Sequence, residues 1–480
     1  MLPFLDVDPA RGVTFSNSPF TDEAYYAINA RNLVLLGRLS TDDWNLHLLT
    51  LPYTALQSAA FGLLGVGILQ ARLVAVLLTA GTSLLVAAGL RRSLGAGPAV
   101  VGAFAFAGSA LVLYYGRLAY AEMLVALLLT GGCLLVLRME DRRAGRWGFL
   151  AGCLLALAIG TKTNAAFGVA GLLVGATVGG GLRPSAPRRW LTGALGAIAL
   201  FALGWVGAIG LPMRWELETL RRILAEQTLP TGPTDLAARL ARFAASNDGM
   251  LGLAGPLLLA GLAGALAMAI AWRRLPVGSR ALAGGALGWA LAAIGVLLFL
   301  SYRPNRYLLQ ALPALAILTA VGLSVMAIEL RRRRSDPDRS TSSAGRLGGG
   351  ANVAVGLLAI TALTAPGVFA HAGWIASGTR ELMPLLDRAS DLIPAGTAVQ
   401  GEYAPLLGFV VPSVTVVSRP ATGVNPGDLY ATRGVRWIAD EREDVPEWAA
   451  LHPAAWASRQ EMACFSWGRD GRPVCMVQLP

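Results

Sequence analysis

Thr21-Asp22-Glu23-Ala24-Tyr25-Tyr26-Ala27-Ile28-Asn29-Ala30-Arg31-Asn32 is a long polar, charged and aromatic run near the start of an otherwise apolar chain. Read as a helix, it takes Thr21 as N-cap and carries two carboxylates in its first turn, where the macrodipole favours negative charge. Asp22, Tyr25 or Tyr26, Asn29 and Asn32 then recur at spacings of three and four and share one face. That face carries a carboxylate, a phenol and two amides. The simplest reading is a capped surface helix, and what gives it further meaning is where the flanking sequence places it.

The flanking sequence belongs to a membrane. Of 480 residues, 55% are hydrophobic and only 14% charged, and the mean hydropathy is +0.55. Apolar runs of about twenty residues mark spanning helices. They are expected at about 71–90, 98–115, 119–137, 147–161, 164–182, 190–211, 251–271, 281–300, 306–328 and 351–370. The formal charge of +11 does not indicate nucleic acid, because the arginines sit between these runs. Arg91-Arg92, Arg138 to Arg146, Arg183 to Arg189, Arg273 to Arg280 and Arg331 to Arg346 fall in alternate loops. The positive-inside rule makes all five cytoplasmic. No cleavable signal peptide and no metal-type cysteine spacing is visible.

The expected fold is an α-helical polytopic membrane protein with a small C-terminal extracytoplasmic α/β domain. Residues 1–70 form an outward-facing loop with amphipathic helices, including an apolar stretch from Leu48 to Leu64 that would lie along the membrane surface. Residues 71–371 form the spans, with a cytoplasmic basic loop at 331–350, and 372–480 the external domain. Met1 then lies outside with no helix before it, so a first span is expected to be absent from the sequence as written, eleven instead of ten. In the last region Thr397 to Gly401, Val414 to Ser418, Val435 to Ala439 and Val474 to Leu479 read as strands. Cys464 and Cys475 flank the turn Gly468-Arg469-Asp470-Gly471, and a cross-strand disulfide is expected there. Cys133 and Cys153 lie within spans as packing residues.

Ionisable groups at the ends of spans default to functional candidates. Asp22, Glu23, Arg31, Asp42, Asp43, His47, Arg117, Glu122, Lys162, Arg303 and Arg306 all map to the outward side. They gather at one depth, whereas a secondary transporter places its polar groups near the midplane of repeated halves. No internal repeat is visible. This argues for an interfacial active site acting on a lipid-borne substrate. Lys162, Arg303 and Arg306 supply cations for a phosphate on a lipid tail, against the alternative of snorkelling to headgroups. Asp22 could take a proton from an acceptor hydroxyl. Tyr26, Asn29, Asp43 and Tyr307 are read as substrate contacts.

The Asp22-Glu23-Ala-x-Tyr loop, the many spans, Gly160-Thr161-Lys162, Arg306-Tyr307-Leu308-Leu309 and the C-terminal external domain together resemble the GT-C glycosyltransferases. The similarity is to the branch of protein O-mannosyltransferases and lipid A aminoarabinose transferases and covers most of residues 20–330. It implies a sugar carried on polyprenyl phosphate, with Asp22 as the catalytic carboxylate, Glu23 its neighbour and Glu122 a second acid. Lys162 and Arg306 would contact the donor phosphate, with Arg303, Arg117 and His47 as further phosphate contacts. The last stands where the aminoarabinose branch has a Lys-Pro pair. The implied partners are a polyprenyl-phosphate-linked sugar, an acceptor glycan, lipid or protein, and the bilayer of the plasma membrane, with no nucleic acid. A divalent ion held by Asp22, Glu23, Asp42 and Glu122 is an open option, and acid/base use without metal is the preferred reading. A flippase for lipid-linked sugars and a non-catalytic membrane scaffold are the alternative functions.

Overall fold

The structure, a computed structural model, describes residues 1–9, 22–39, 50–181, 185–215, 217–218, 221, 237–241, 248–300, 304–334, 348–411, 415–417, 434–443, 453–466 and 471–480. After a short 3-10 turn at Leu2–Phe4, helix α1 covers Glu23–Leu36, with Asp22 in the N-cap position. It stops at Gly37, whose φ of 67° returns the backbone N–H to Leu33 O, the left-handed cap that glycine adopts without strain. Thr21, the expected cap, lies outside the described residues. The helix is not a surface helix. Asn29 and Asn32 on its polar face are only 1% and 3% exposed, because α1 is enclosed between the spans and the C-terminal domain.

Helix α2 (Leu51–Leu64) carries Pro52 in its first turn, where a missing N–H costs nothing. The apolar helices follow as α3 (Ile68–Leu94), α4 (Ala96–Ala107), α5 (Ala110–Tyr115), α6 (Glu122–Leu135), α7 (Ala144–Thr161), α8 (Ala165–Gly180) and α9 (Ser185–Trp205). The set continues with α10 (Asp248–Ala271), α11 (Val277–Leu297), α12 (Leu312–Arg334) and α13 (Gly348–Ser377). Among the described residues, six stretches are long and apolar enough to cross a membrane, and α4 and α8 are shorter apolar helices.

Three expected spans differ in detail. The run 98–115 is two helices, α4 and α5, separated at Gly108, where a Cβ would lie 2.4 Å from Thr364 Cγ2 on α13. The run expected to begin at 119 begins at Glu122, and Leu118, Ala119, Tyr120 and Ala121 form a buried loop before it. The run 306–328 opens as a 3-10 helix, Asn305–Ala311, before α12. Hydropathy alone does not register the second change, since Leu118 to Ala121 holds no charged residue and runs straight into the apolar helix.

Close helix contact replaces a hydrophobic driving force inside a bilayer. Gly171 and Gly175 on α8 face Gly288 and Gly284 on α11. A Cβ on Gly175 would sit 2.0 Å from Gly284 O, and one on Gly171 2.1 Å from Gly288 O. A valine at Gly175 must therefore push the two backbones apart. We expect Gly175→Val to destabilise the protein by about 2–3 kcal/mol, read as a lower thermal unfolding midpoint in detergent, with Gly196→Val, where a Cβ meets nothing within 4 Å, as the control.

The C-terminal region begins with α14 (Leu382–Leu392) and holds a five-stranded sheet. Its strands are β1 (Ala398–Gln400), β2 (Thr415–Val417), β3 (Val435–Glu441), β4 (Gln460–Phe465) and β5 (Val474–Gln478), in the order β2-β1-β3-β5-β4. β1 runs parallel to β2 and β3, and β5 runs antiparallel to β3 and β4. β4, at the sheet edge, was not among the strands expected by residue range, although the expected cross-strand disulfide needed a partner strand at Cys464; its first residues, Gln460 and Glu461, are polar and exposed. Cys464 and Cys475 are direct cross-strand partners on β4 and β5 and form the disulfide.

This sheet shares a core with α1. Ala24, Ala27, Ile28 and Ala30 pack in one cluster with Leu386, Val399, Phe409 and Trp437. Arg31, fully buried, donates from Nε to Phe409 O (2.9 Å) and from Nη2 to Val411 O (2.6 Å). Tyr25 donates its hydroxyl to Glu402 O at 2.6 Å. The first residues add a second tie. Asp8 accepts from the N–H groups of Glu381 (2.8 Å) and Leu382 (3.0 Å), so it caps the start of α14 from the other end of the chain.

Candidate active site

Four charged side chains converge where α1, α6, α7 and the 3-10 helix before α12 meet. Asp22 is the N-cap of α1, and Glu122 the first residue of α6. Lys162 ends α7 in an extended conformation (φ −158°, ψ 120°), and Arg306 is the second residue of the 3-10 helix. Each is at an element terminus, where a polar side chain can leave an apolar helix without being drawn into the bundle. Arg306 Nη2 donates to Asp22 Oδ2, and Lys162 Nζ donates to Glu122 Oε1. Arg306 Nε stands 3.3 Å from that same Glu122 oxygen, so the two pairs are joined through Glu122.

Aromatic rings wall this cluster. Lys162 Nζ donates to Tyr26 OH at 3.1 Å and lies 4.3 Å from the Tyr307 ring centroid. The Arg306 guanidinium is 5.2 Å from the Tyr120 ring and 5.8 Å from that of Tyr307. Tyr26 meets Tyr53 and Tyr120 edge-on. Ring faces carry negative potential, so they stabilise cations where water is scarce. The arrangement presents two cations and two carboxylates to one side of a wall that can pack a sugar or a lipid.

The basic clusters lie at the other helix ends. α6 starts at Glu122 and is followed by Arg138, α7 starts after Arg143 and ends at Lys162, and α12 follows Arg306 and ends with Arg331–Arg334.

Two expected site residues are occupied elsewhere. Glu23 receives Arg72 Nε on Oε1 (2.9 Å) and Arg72 Nη2 on Oε2 (2.8 Å), and the Ala119 N–H also donates to Oε1 (2.9 Å). Burial alone would raise its pKa, but the Arg72 charge and hydrogen bonds, the Ala119 N–H and Arg117 outweigh it and hold Glu23 below the usual range. Arg117 donates to Val7 O (2.6 Å), Asp8 O (3.0 Å) and Phe4 O (3.2 Å), and stacks on Trp374 at 4.4 Å. Burial, then the neighbouring Arg72 charge, lower its pKa to about 9. In this structure both side chains tie scaffold segments together: Glu23 to Arg72 and the Ala119 N–H, Arg117 to the carbonyls of Phe4, Val7 and Asp8. Asn29 is buried within α1. His47, Asp43, Asp42 and Arg303 lie outside the described residues.

Asp22 and Glu122 each carry a cation, and both oxygens of Glu23 are taken. Among the described residues, the one acidic and cysteine group with ligand spacing is Glu461, Cys464 and Cys475, and its sulfurs are joined in the disulfide.

Known proteins with similar sequence or fold share this architecture. Residues 51–205 match the family model of dolichyl-phosphate-mannose-protein mannosyltransferases. The structure of ArnT from Cupriavidus metallidurans, bound to undecaprenyl phosphate, superposes with a TM-score of 0.62 at 16% identity, covering 99% of this chain and 96% of that one. This chain has a GT-C fold. The archaeal oligosaccharyltransferase AglB from Archaeoglobus fulgidus, in complex with an inhibitory peptide and a dolichol-phosphate, superposes at 0.55 and 13% identity over 94% of this chain and 70% of that one. No curated protein sequence matches.

Within this GT-C fold, sequence reading placed Asp22, Glu122, Lys162, Arg306, Tyr26 and Tyr307 on the outward side, and the fold brings them together. It missed Tyr120, Arg72 and Asp8. Tyr120 had a signal, since it falls between Arg117 and Glu122 in one short loop. Arg72 opens a span and reads there as a flanking charge, and Asp8 lies in a proline-containing segment without periodicity.

Proposed function

We propose that this protein is an integral-membrane glycosyltransferase that moves a sugar from a polyprenyl-phosphate donor to an acceptor outside the cytoplasm. The observation that carries this reading is the pair of cations, Arg306 and Lys162, set beside Asp22 and Glu122 at the end of the bundle opposite the basic loops. The acceptor hydroxyl oxygen attacks the anomeric carbon, its proton passes to the Asp22 carboxylate, and the bond from that carbon to the phosphate oxygen breaks. The leaving phosphate keeps the bonding pair and its added charge is met by Arg306 and Lys162. Tyr26, Tyr120 and Tyr307 line the space where the sugar ring or the first isoprene units would pack. The ArnT structure named above holds undecaprenyl phosphate, which supports a lipid-phosphate donor here. The extracytoplasmic orientation is supported by the arginine distribution and by the Cys464–Cys475 disulfide, which belongs to an oxidising compartment.

The reading is tested with purified protein in nanodiscs and a panel of radiolabelled polyprenyl-phosphate sugars, by following loss of label from the lipid. Cleavage of at least one sugar is the expected result. Lipid-linked sugar that crosses the bilayer intact, with no cleavage for any member of the panel, would replace this reading by the flippase.

A further inference from the structure

Among the described residues, each of the four charged side chains of the site has an opposite charge beside it. Arg306 is paired with Asp22, Lys162 with Glu122, and Arg306 Nε also approaches Glu122 at 3.3 Å. Among the described residues, these two cations and two carboxylates balance, so a phosphate that binds Arg306 or Lys162 competes with a carboxylate already there.

The two pairs differ in how easily they part. Glu122 is 1% exposed and Lys162 11%. Glu122 Oε2 has no hydrogen-bond partner among the described residues, so its charge depends on the cations at its other oxygen. Removing Lys162 from it would strand a buried carboxylate. Lys162 is further held by Tyr26 OH and the Tyr307 ring. Asp22 is different, because it is 38% exposed while Arg306 is 8% exposed. When Arg306 leaves Asp22, water can solvate the carboxylate, and the guanidinium stays in place for the phosphate.

We propose that Asp22 is the placeholder for the donor phosphate on Arg306. Binding of a lipid phosphate moves Arg306 from the Asp22 carboxylate to a phosphate oxygen, and this exchange frees Asp22 to face the acceptor hydroxyl. The proposal rests on the glycosyltransferase reading of the site. Without donor, the carboxylate is engaged and unavailable as a base. After transfer, the lipid product is a phosphate monoester with a charge of about −1.5 to −2 at pH 7, and the return of Asp22 to Arg306 helps to expel it.

The consequence is a competition that substitution exposes. Asp22→Asn removes the rival charge from Arg306 and breaks no helix cap, since the Asp22 side chain makes no cap hydrogen bond to α1. Calorimetric titration of undecaprenyl phosphate into wild type, Asp22→Asn, Arg306→Gln and the double variant measures the coupling. Asp22→Asn is expected to bind about tenfold more tightly than wild type, equivalent to ~1.4 kcal/mol, with the gain lost in the Arg306→Gln background. Inorganic phosphate, titrated in parallel, should show the same ratio at weaker affinity if the anion alone drives the exchange. Undecaprenol should show no gain. Equal or weaker binding by Asp22→Asn, or a gain that persists without Arg306, overturns the exchange and leaves the donor reading standing. Failure of every variant to bind undecaprenyl phosphate overturns both.

Discussion

Replacing Lys162 with Met is expected to lower turnover of a lipid-linked sugar by about 10²–10³-fold, the usual loss when one charge-stabilising donor is removed from an acyl- or phosphate-type leaving site. Lys162 is one of the two cations in the described site, and its ammonium holds Glu122 while facing Tyr26 and Tyr307. The same change leaves Glu122 buried with Arg306 Nε at 3.3 Å as its remaining cation. Stability should fall by about 3–5 kcal/mol, the cost of breaking a buried pair by removing one member. The two effects separate in the double variant Lys162→Met with Glu122→Leu. With no uncompensated charge left, the unfolding midpoint should recover, while turnover should stay low. If the double variant recovers turnover as well, Lys162 serves packing alone.

The second large effect concerns Glu23 and Arg72, a pair with side chains 3% and 0% exposed. Arg72→Met should destabilise the protein by about 3–5 kcal/mol, since it strands the Glu23 carboxylate and also removes the donor to Leu5 O (2.6 Å) and Val7 O (3.2 Å). Arg72→Met with Glu23→Leu should recover at least half of that loss, measured by thermal unfolding. Glu23 has its pKa lowered from 4.5 in the folded protein. Its contribution is therefore complete above about pH 4.5 and is lost as the pH falls through the lower folded value. Variants lacking the carboxylate should lose less stability than wild type between pH 5 and about pH 3. An equal acid dependence would remove Glu23 from the account.

The sequence made the membrane class legible because twenty-residue apolar runs and alternating arginine clusters are properties of composition alone. It also assigned Asp22, Glu122, Lys162 and Arg306 to one end of the bundle, the last three because each stands at the end of an apolar run. What it hid are contacts between distant segments. Asp22 and Arg306 are 284 residues apart, and nothing local pairs them. Glu23 stands beside Asp22 and reads as its equal, yet an arginine 49 residues on and an amide 96 residues on engage it fully. Arg117, read as a phosphate contact, is held by carbonyls of residues 4, 7 and 8. The same holds for α1, whose Asn29 and Asn32 read as solvent-facing yet are buried, with Arg31 between them held by the carbonyls of Phe409 and Val411. A polar pattern tells which residues share a face. It does not tell whether water or protein lies against that face.

One measurement tests the central claim most directly: single-turnover release of polyprenyl phosphate from a lipid-linked sugar, compared between wild type and Asp22→Asn in nanodiscs. The account predicts release by wild type and a fall of about 10³-fold or more in the variant, with the lipid still bound. Release at an equal rate in both would show that Asp22 takes no part in the chemistry and would contradict the account.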